Sequence, residues 1–129
     1  MPDGGQHDDT SIRVLIVDDE PDLRLLVRTM LTLDPRIEIV GEGVDGGEAL
    51  DLFNQLRPDV LVLDQRMPVF KGLEVARQVL ADHEDQVVIL LSAYLDDDVL
   101  EEASAIGIRG VIGKQRMADL APEILRLAG

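Results

Sequence analysis

The stretch VLIVDDEPD, Val14 to Asp22, decides how the rest of the chain is read. An apolar run ends abruptly in three consecutive acids, Asp18, Asp19 and Glu20, with Pro21 behind them. A run that is apolar at every position suits a strand buried on both faces, as in a parallel sheet covered by helices. The acids need a separate explanation, because neighbouring carboxylates repel. Two explanations compete. The acids open a helix, whose N-terminus favours negative charge and whose first turn accepts proline. Alternatively, they gather around a cation that cancels their repulsion. Both can hold at once.

The same pattern repeats along the chain. Apolar runs of strand length appear at IRVLIV (12–17), IEIVG (37–41), VLVL (60–63), VVILL (87–91) and GVIG (110–113). Between them the apolar residues take helical spacing. Leu23, Leu26, Val27, Met30 and Leu31 form one stripe, and Ala49, Leu52, Phe53 and Leu56 a second. Val75, Ala76, Val79 and Leu80 form a third, and Val99, Ala103 and Ile106 a fourth. Met117, Leu120, Ala121, Ile124, Leu125 and Ala128 form a fifth. One stripe per helix is what a helix lying on a sheet requires. Pro58 is placed to stop the second helix. Strands alternating with helices five times predict a (βα)5 doubly wound α/β fold.

In open sheets of this class, ligands bind beyond the carboxyl ends of the strands. The residues immediately after the runs are therefore the candidates for chemistry. They are Asp18, Asp19 and Glu20 after the first, Asp64 after the third, Ser92 after the fourth and Lys114 after the fifth. If the first and third strands are neighbours, Asp18, Asp19 and Asp64 face one crevice. Mg²⁺ suits such a site, because it takes oxygen ligands and keeps several waters. A carboxylate beside that ion can attack phosphorus, and an ammonium and a hydroxyl nearby would neutralise the phosphoryl oxygens. Taken singly, each residue has a plain alternative: Asp64 at a strand exit, Ser92 at a helix entry, Lys114 as a solvated surface lysine. Their shared position at the ends of separate runs favours a site.

Composition narrows the partners. The chain has 129 residues and fits one domain. A formal charge of −14 argues against this chain gripping nucleic acid and favours cations or basic partner faces. There is no cysteine, which removes thiol chemistry and cysteine zinc sites. No apolar run reaches membrane-span length, and MPDGGQHDDTS lacks a signal-peptide pattern. Residues 1–11 are read as a disordered tail, residues 12–129 as the domain, and the compartment as the cytoplasm. His7 and His83 have no second histidine at ligand spacing.

The segments LIVDDEP, PDVLVLDQRMPVFKGLEV, VVILLSAY and GVIGK resemble, in that order and spacing, the receiver domain of bacterial two-component response regulators. The resemblance runs from about Ser11 to the C-terminus. It implies a flavodoxin-like sheet of strand order 2-1-3-4-5. It implies Asp64 as phospho-acceptor, with a sensor histidine kinase as donor. Mg²⁺ would be held by Asp64, by Asp19 directly, by Asp18 through water, and by the backbone carbonyl of Arg66. Ser92 would hydrogen-bond the phosphoryl group and Lys114 would pair with it. Pro68 and Gly72 match the turn after the acceptor. The face made by helix 4, strand 5 and helix 5 would be the partner surface and a possible homodimer contact. The pattern is most similar to receivers that carry a C-terminal helix-turn-helix, so any DNA contact would lie outside this chain.

Two positions depart from the family. Val111 stands where an aromatic switch residue is usual, so ring rotation there cannot be the readout, and coupling from Ser92 is expected to use loop movement. Gln115 stands where a cis-proline often follows the lysine; a cis bond here would cost about 2.5–4 kcal/mol, so a trans bond and a somewhat altered Lys114 reach are expected. Arg66 brings a cation to the mouth of the site. It also occupies the place where aspartate-nucleophile phosphatases carry a second acid, so no turnover enzyme is expected. Few aromatics are present to stack on a flavin, with two Phe, one Tyr and no Trp. The remaining rival is a non-phosphorylated receiver-like interaction module.

Overall fold

Alternation of side chains along each strand explains how one sheet supplies two cores. The structure is a computed structural model and describes residues 11–129; the expected tail, apart from Ser11, lies outside the described residues, as does His7. The strands are β1 (Ile12–Val17), β2 (Ile37–Gly43), β3 (Val60–Leu63), β4 (Val87–Ser92) and β5 (Gly110–Gly113). The helices are α1 (Pro21–Leu31), α2 (Gly46–Leu56), α3 (Gly72–Asp82), α4 (Asp97–Ile106) and α5 (Leu120–Ala128). The sheet order is β2-β1-β3-β4-β5, with every pairing parallel. This is the expected (βα)5 flavodoxin-like arrangement.

Successive strand residues point to opposite faces. Val14, Ile16, Val62, Ile89 and Leu91 pack with Val27 and Leu31 of α1 and with Leu120 and Ile124 of α5. Leu15, Val17, Leu61, Leu63, Val88 and Leu90 pack on the other face with Phe53 of α2, Val79 and Leu80 of α3, and Ala103 of α4. Fully burying a side chain of this size contributes about 1.5–3 kcal/mol. Both faces of β3, of β1 from Val14 to Val17 and of β4 from Val87 to Leu91 are covered, which is why these stretches are apolar at every position, while Arg13 near the start of β1 is only half-buried.

The helix boundaries follow local chemistry. Pro21 occupies the start of α1. Asp45 accepts a hydrogen bond from Glu48 N at 2.8 Å, and Asp96 accepts one from Val99 N at 2.9 Å, each capping its helix. α2 ends at Leu56, and Arg57, the residue before Pro58, leaves the helical region at φ 47°.

Two elements differ from their expected extents. β2 runs on to Gly43, past 41, because a register shift between Val14 and Leu15 lets Ile16 and Val17 continue the pairing with Glu42 and Gly43. The fifth helix does not run unbroken from Met117. Two 3₁₀ turns span Lys114–Asp119, kinked at Arg116, whose φ −116° and ψ 35° are not helical, and α5 begins at Leu120. Met117 and Leu120 are three apart and both buried, a spacing that the 3₁₀ period aligns on one side.

Candidate functional site

Among the described residues, the buried polar or charged side chains are Asp18, Asp64 and Ser92, at 4%, 5% and 0% exposure. Each lies at or just past the carboxyl end of its strand. The ladder continues past the strands to hold them: Asp18 N donates to Gly43 O at 3.1 Å, and Asp64 N donates to Val17 O at 3.0 Å. Since β1 and β3 are neighbours, the two carboxylates face one crevice. Ser92 ends β4, on the other side of β3, opposite Gly113.

Lys114 closes the group from β5. Its Nζ lies 3.0 Å from Asp18 Oδ2, 3.1 Å from Asp64 Oδ2 and 3.2 Å from Glu20 Oε1. The Lys114–Gln115 peptide bond is trans, with no cis bond among the described residues. The lysine nevertheless reaches both buried carboxylates. Burial pulls the Lys114 ammonium down, but its bonds to Asp18 and Asp64 outweigh that, so its pKa is raised and it stays charged. Burial pushes the Asp18 carboxyl above the usual range, against the lowering effects of the Glu20 N–H and Lys114.

The acids after β1 divide. Asp18 Oδ1 accepts from Glu20 N at 2.9 Å; Glu20 takes the N-cap position of α1 ahead of Pro21 but makes no side-chain cap bond, so helix opening explains the placement of Glu20 and leaves the buried Asp18 to another role. Oxygens of Asp18, Glu20 and Asp64 lie within 4.8 Å of one another. Asp19 stays outside this cluster. Its side chain is exposed and lines an adjoining cleft of about 640 Å³ with Arg66 and Tyr94. Glu20 is among the candidates after the first run but not in the expected ligand set, which pairs Asp19 with Asp18 and Asp64 instead. A usable signal was Pro21, which disfavours helical backbone at Glu20 and holds it extended at φ −94° and ψ 112°. The chain bends at Asp19, and the Glu20 N–H to Asp18 Oδ1 bond closes that bend, with Glu20 beside Asp18 and Asp19 exposed.

Loop packing fixes the acceptor from behind. Gly72 N donates to Gln65 O at 3.0 Å, and a Cβ at Gly72 would collide with the Asp64 carbonyl. Gln65 Oε1 accepts from Leu73 N at 2.8 Å. Pro68 O accepts from both Gly46 N and Phe70 N. Arg66 sends its guanidinium over the Tyr94 ring, 3.7 Å from the centroid. Ser92 Oγ accepts from Tyr94 N at 3.2 Å. Val111 is half-buried on β5, and no aromatic stands there.

The donor chemistry fits a hard divalent cation. Three carboxylates against one ammonium leave two negative charges uncompensated, and all the acidic donors are oxygens. Among the described residues, no helix is long and apolar enough to cross a membrane.

Residues 14–125 match the response regulator receiver domain family. The transcriptional regulatory protein DegU of Brevibacillus brevis is 30% identical over 95% of this chain and 52% of its own length. LiaR of Bacillus subtilis, also a transcriptional regulatory protein, is 32% identical over 91% of this chain and 56% of its own. A protein-glutamate methylesterase/protein-glutamine glutaminase of Anaeromyxobacter dehalogenans is 37% identical, but over only 31% of that protein. The chain thus spans about half the length of these transcriptional regulators and less of the methylesterase. Among solved structures, the signal receiver domain of the response regulator NarL from Mycobacterium tuberculosis superposes with a TM-score of 0.86 at 33% identity, covering 92% of this chain and 96% of that one. The CheB response regulator domain of Thermotoga maritima superposes at 0.80 with 29% identity, covering 90% and 92%. The chain belongs to the response regulator receiver domain family.

Proposed function

We propose that this chain is a phosphorylation-dependent signalling switch whose acceptor is Asp64. The observation that carries the reading is the buried trio of Asp18, Asp64 and Ser92 with the Lys114 ammonium bridging its two acids. A sensor histidine kinase is the donor. An Asp64 carboxylate oxygen forms the new P–O bond while the P–N bond to the donor imidazole breaks, its electron pair leaving with that nitrogen. Lys114 pairs with the phosphoryl oxygens, and the Ser92 hydroxyl, which accepts from Tyr94 N, keeps its proton to donate to them. Asp18, Asp19, Asp64 and the carbonyl of Arg66 are the ligands we assign to Mg²⁺. The ion supplies charge neutralisation on the phosphoryl oxygens.

The added group brings about −1.5 to −2 charges and three acceptor oxygens. The loops after β4 and β5 answer it through Ser92 and Lys114, shifting the face of α4, β5 and α5 towards a partner or a second copy. Each chain is charged and discharged once per signal and turns over no separate substrate. The compartment that fits this role is the cytoplasm.

Incubation with Mg²⁺ and acetyl phosphate, read by intact mass, tests the proposal. The expected result is one phosphoryl adduct that vanishes in Asp64→Asn. An unmodified wild type that still binds its partners would replace this reading with that of a constitutive interaction module.

A further inference from the structure

We propose that Arg66 is a moving part of the switch: its guanidinium rests on Tyr94 in the unmodified chain and leaves that ring for the phosphoryl oxygens once Asp64 is modified. The proposal rests on the phospho-acceptor reading above. Arg66 lies two residues past Asp64 on the β3–α3 loop, and Tyr94 two residues past Ser92 on the β4–α4 loop. Their stack, 3.7 Å from guanidinium carbon to ring centroid, ties together the two loops that flank the acceptor. Both side chains line the cleft beside the site.

Several observations make the stack exchangeable. Arg66 is exposed, and among the described residues its N–H donors have no hydrogen-bond or ion-pair acceptor. An exposed cation–π contact is a weak hold. A phosphoryl group offers the same guanidinium charge-assisted, bidentate bonds, which are the stronger kind. The need for a second cation is also present. The acidic cluster already outnumbers Lys114, and the phosphoryl group adds negative charge there. Tyr94 is in turn linked to the site, since its N–H donates to the fully buried Ser92 hydroxyl. With Val111 on β5, Tyr94 is the ring next to Ser92 that is available to change its surroundings. Release of the ring would uncouple the entry to α4, capped by Asp96, from the acceptor loop.

Tyr94 is the only tyrosine and the chain has no tryptophan, so tyrosine emission reports on Tyr94 alone, and the Arg66 variants isolate the part due to the stack. The experiment records that emission before and after acetyl phosphate with Mg²⁺, in wild type, Arg66→Ala and Arg66→Lys, with intact mass on the same samples. The expected result is that the wild-type adduct shifts its emission to the level of unmodified Arg66→Ala. Arg66→Ala keeps the backbone carbonyl assigned to Mg²⁺, and per adduct formed, as counted by intact mass, it should lose most of the emission change, while Arg66→Lys should show a reduced shift. An adduct in wild type with unchanged emission overturns the exchange while leaving Asp64 as acceptor, as does an equal shift in Arg66→Ala. Absence of any adduct in wild type overturns the acceptor reading and the exchange with it.

Discussion

Lys114 Nζ lies 3.1 Å from Asp64 Oδ2, joining the last strand to the third across the mouth of the sheet. The same ammonium holds Asp18, so it is the shared counter-charge of two buried acids. Lys114→Met leaves both carboxylates without it. Breaking a fully buried pair costs roughly 3–5 kcal/mol, and the solvent-exposed Glu20 side of this cluster reduces the expected loss to about 2 kcal/mol. Urea denaturation at neutral pH measures it. Asp18→Asn in the same background should recover part of the loss, because it removes one of the two uncompensated charges.

Magnesium should stabilise the wild type, since a ligand that binds only the folded state adds about 2.7 kcal/mol at a hundred times its Kd. Thermal melts with and without Mg²⁺ read this directly. The gain should disappear in Asp18→Asn and Asp19→Asn, the proposed ligands. Glu20→Gln should keep most of it, because Glu20 is 65% exposed and already engaged with Lys114. The reverse pattern would transfer the ligand role from Asp19 to Glu20, the acid that lies within 4.8 Å of Asp18 and Asp64.

Much of this was legible in residue order. β3, and β4 up to Leu91, read as strands because every position is apolar, as a strand buried on both faces requires. Asp64, Ser92 and Lys114 stood out because each follows or ends such a run. What residue order does not carry is side-chain direction. Asp18 and Asp19 are chemically identical neighbours, and only the path of the backbone into Pro21 turns one inward and leaves the other exposed. The break before α5 was hidden for a similar reason: Met117 and Leu120 at a spacing of three satisfy a 3₁₀ turn as well as an α-helix. The Arg66–Tyr94 stack depends on two loops meeting in space, which no local pattern encodes.

Gly72→Ala tests how closely the acceptor is held from behind. The new methyl would press on the Asp64 carbonyl, which is backbone and cannot step aside as a side-chain tip can. Overpacking of this kind costs about 1–3 kcal/mol. The same displacement should slow adduct formation by acetyl phosphate, measured as the rate of mass gain. A variant equally stable but slow to react would show that position, and not folding, is what Gly72 protects.

The turn from α1 to β2 supplies a pH-dependent element. Arg36 Nε and Nη2 bond Asp34 Oδ1 and Oδ2 at 3.0 and 2.8 Å, and Arg36 N also donates to Oδ1. These bonds lower the Asp34 pKa from 3.8 to about 2. A carboxyl lowered by folding contributes stability that is present above 3.8 and is lost as pH falls towards 2. NMR titration should place Asp34 well below 3.8, and Arg36→Ala should return it towards that value.

Val69 carries strain one residue beyond Pro68. Its φ is 74°, a region that a β-branched side chain rarely enters, and Phe70 N donates to Pro68 O at 2.9 Å to close a γ-turn around it. The side chain is 69% exposed, so little packing compensates. The turn persists because Gly46 N, at the start of α2, also bonds Pro68 O and holds it in place. Val69→Gly removes the steric conflict, worth about 1–3 kcal/mol. Glycine's extra freedom in the unfolded chain takes back roughly 0.5–1 kcal/mol. The expected net result is a protein about 1 kcal/mol more stable in urea, the difference between those two effects. A destabilised Val69→Gly protein would mean that the valine side chain makes contacts that outweigh its backbone strain.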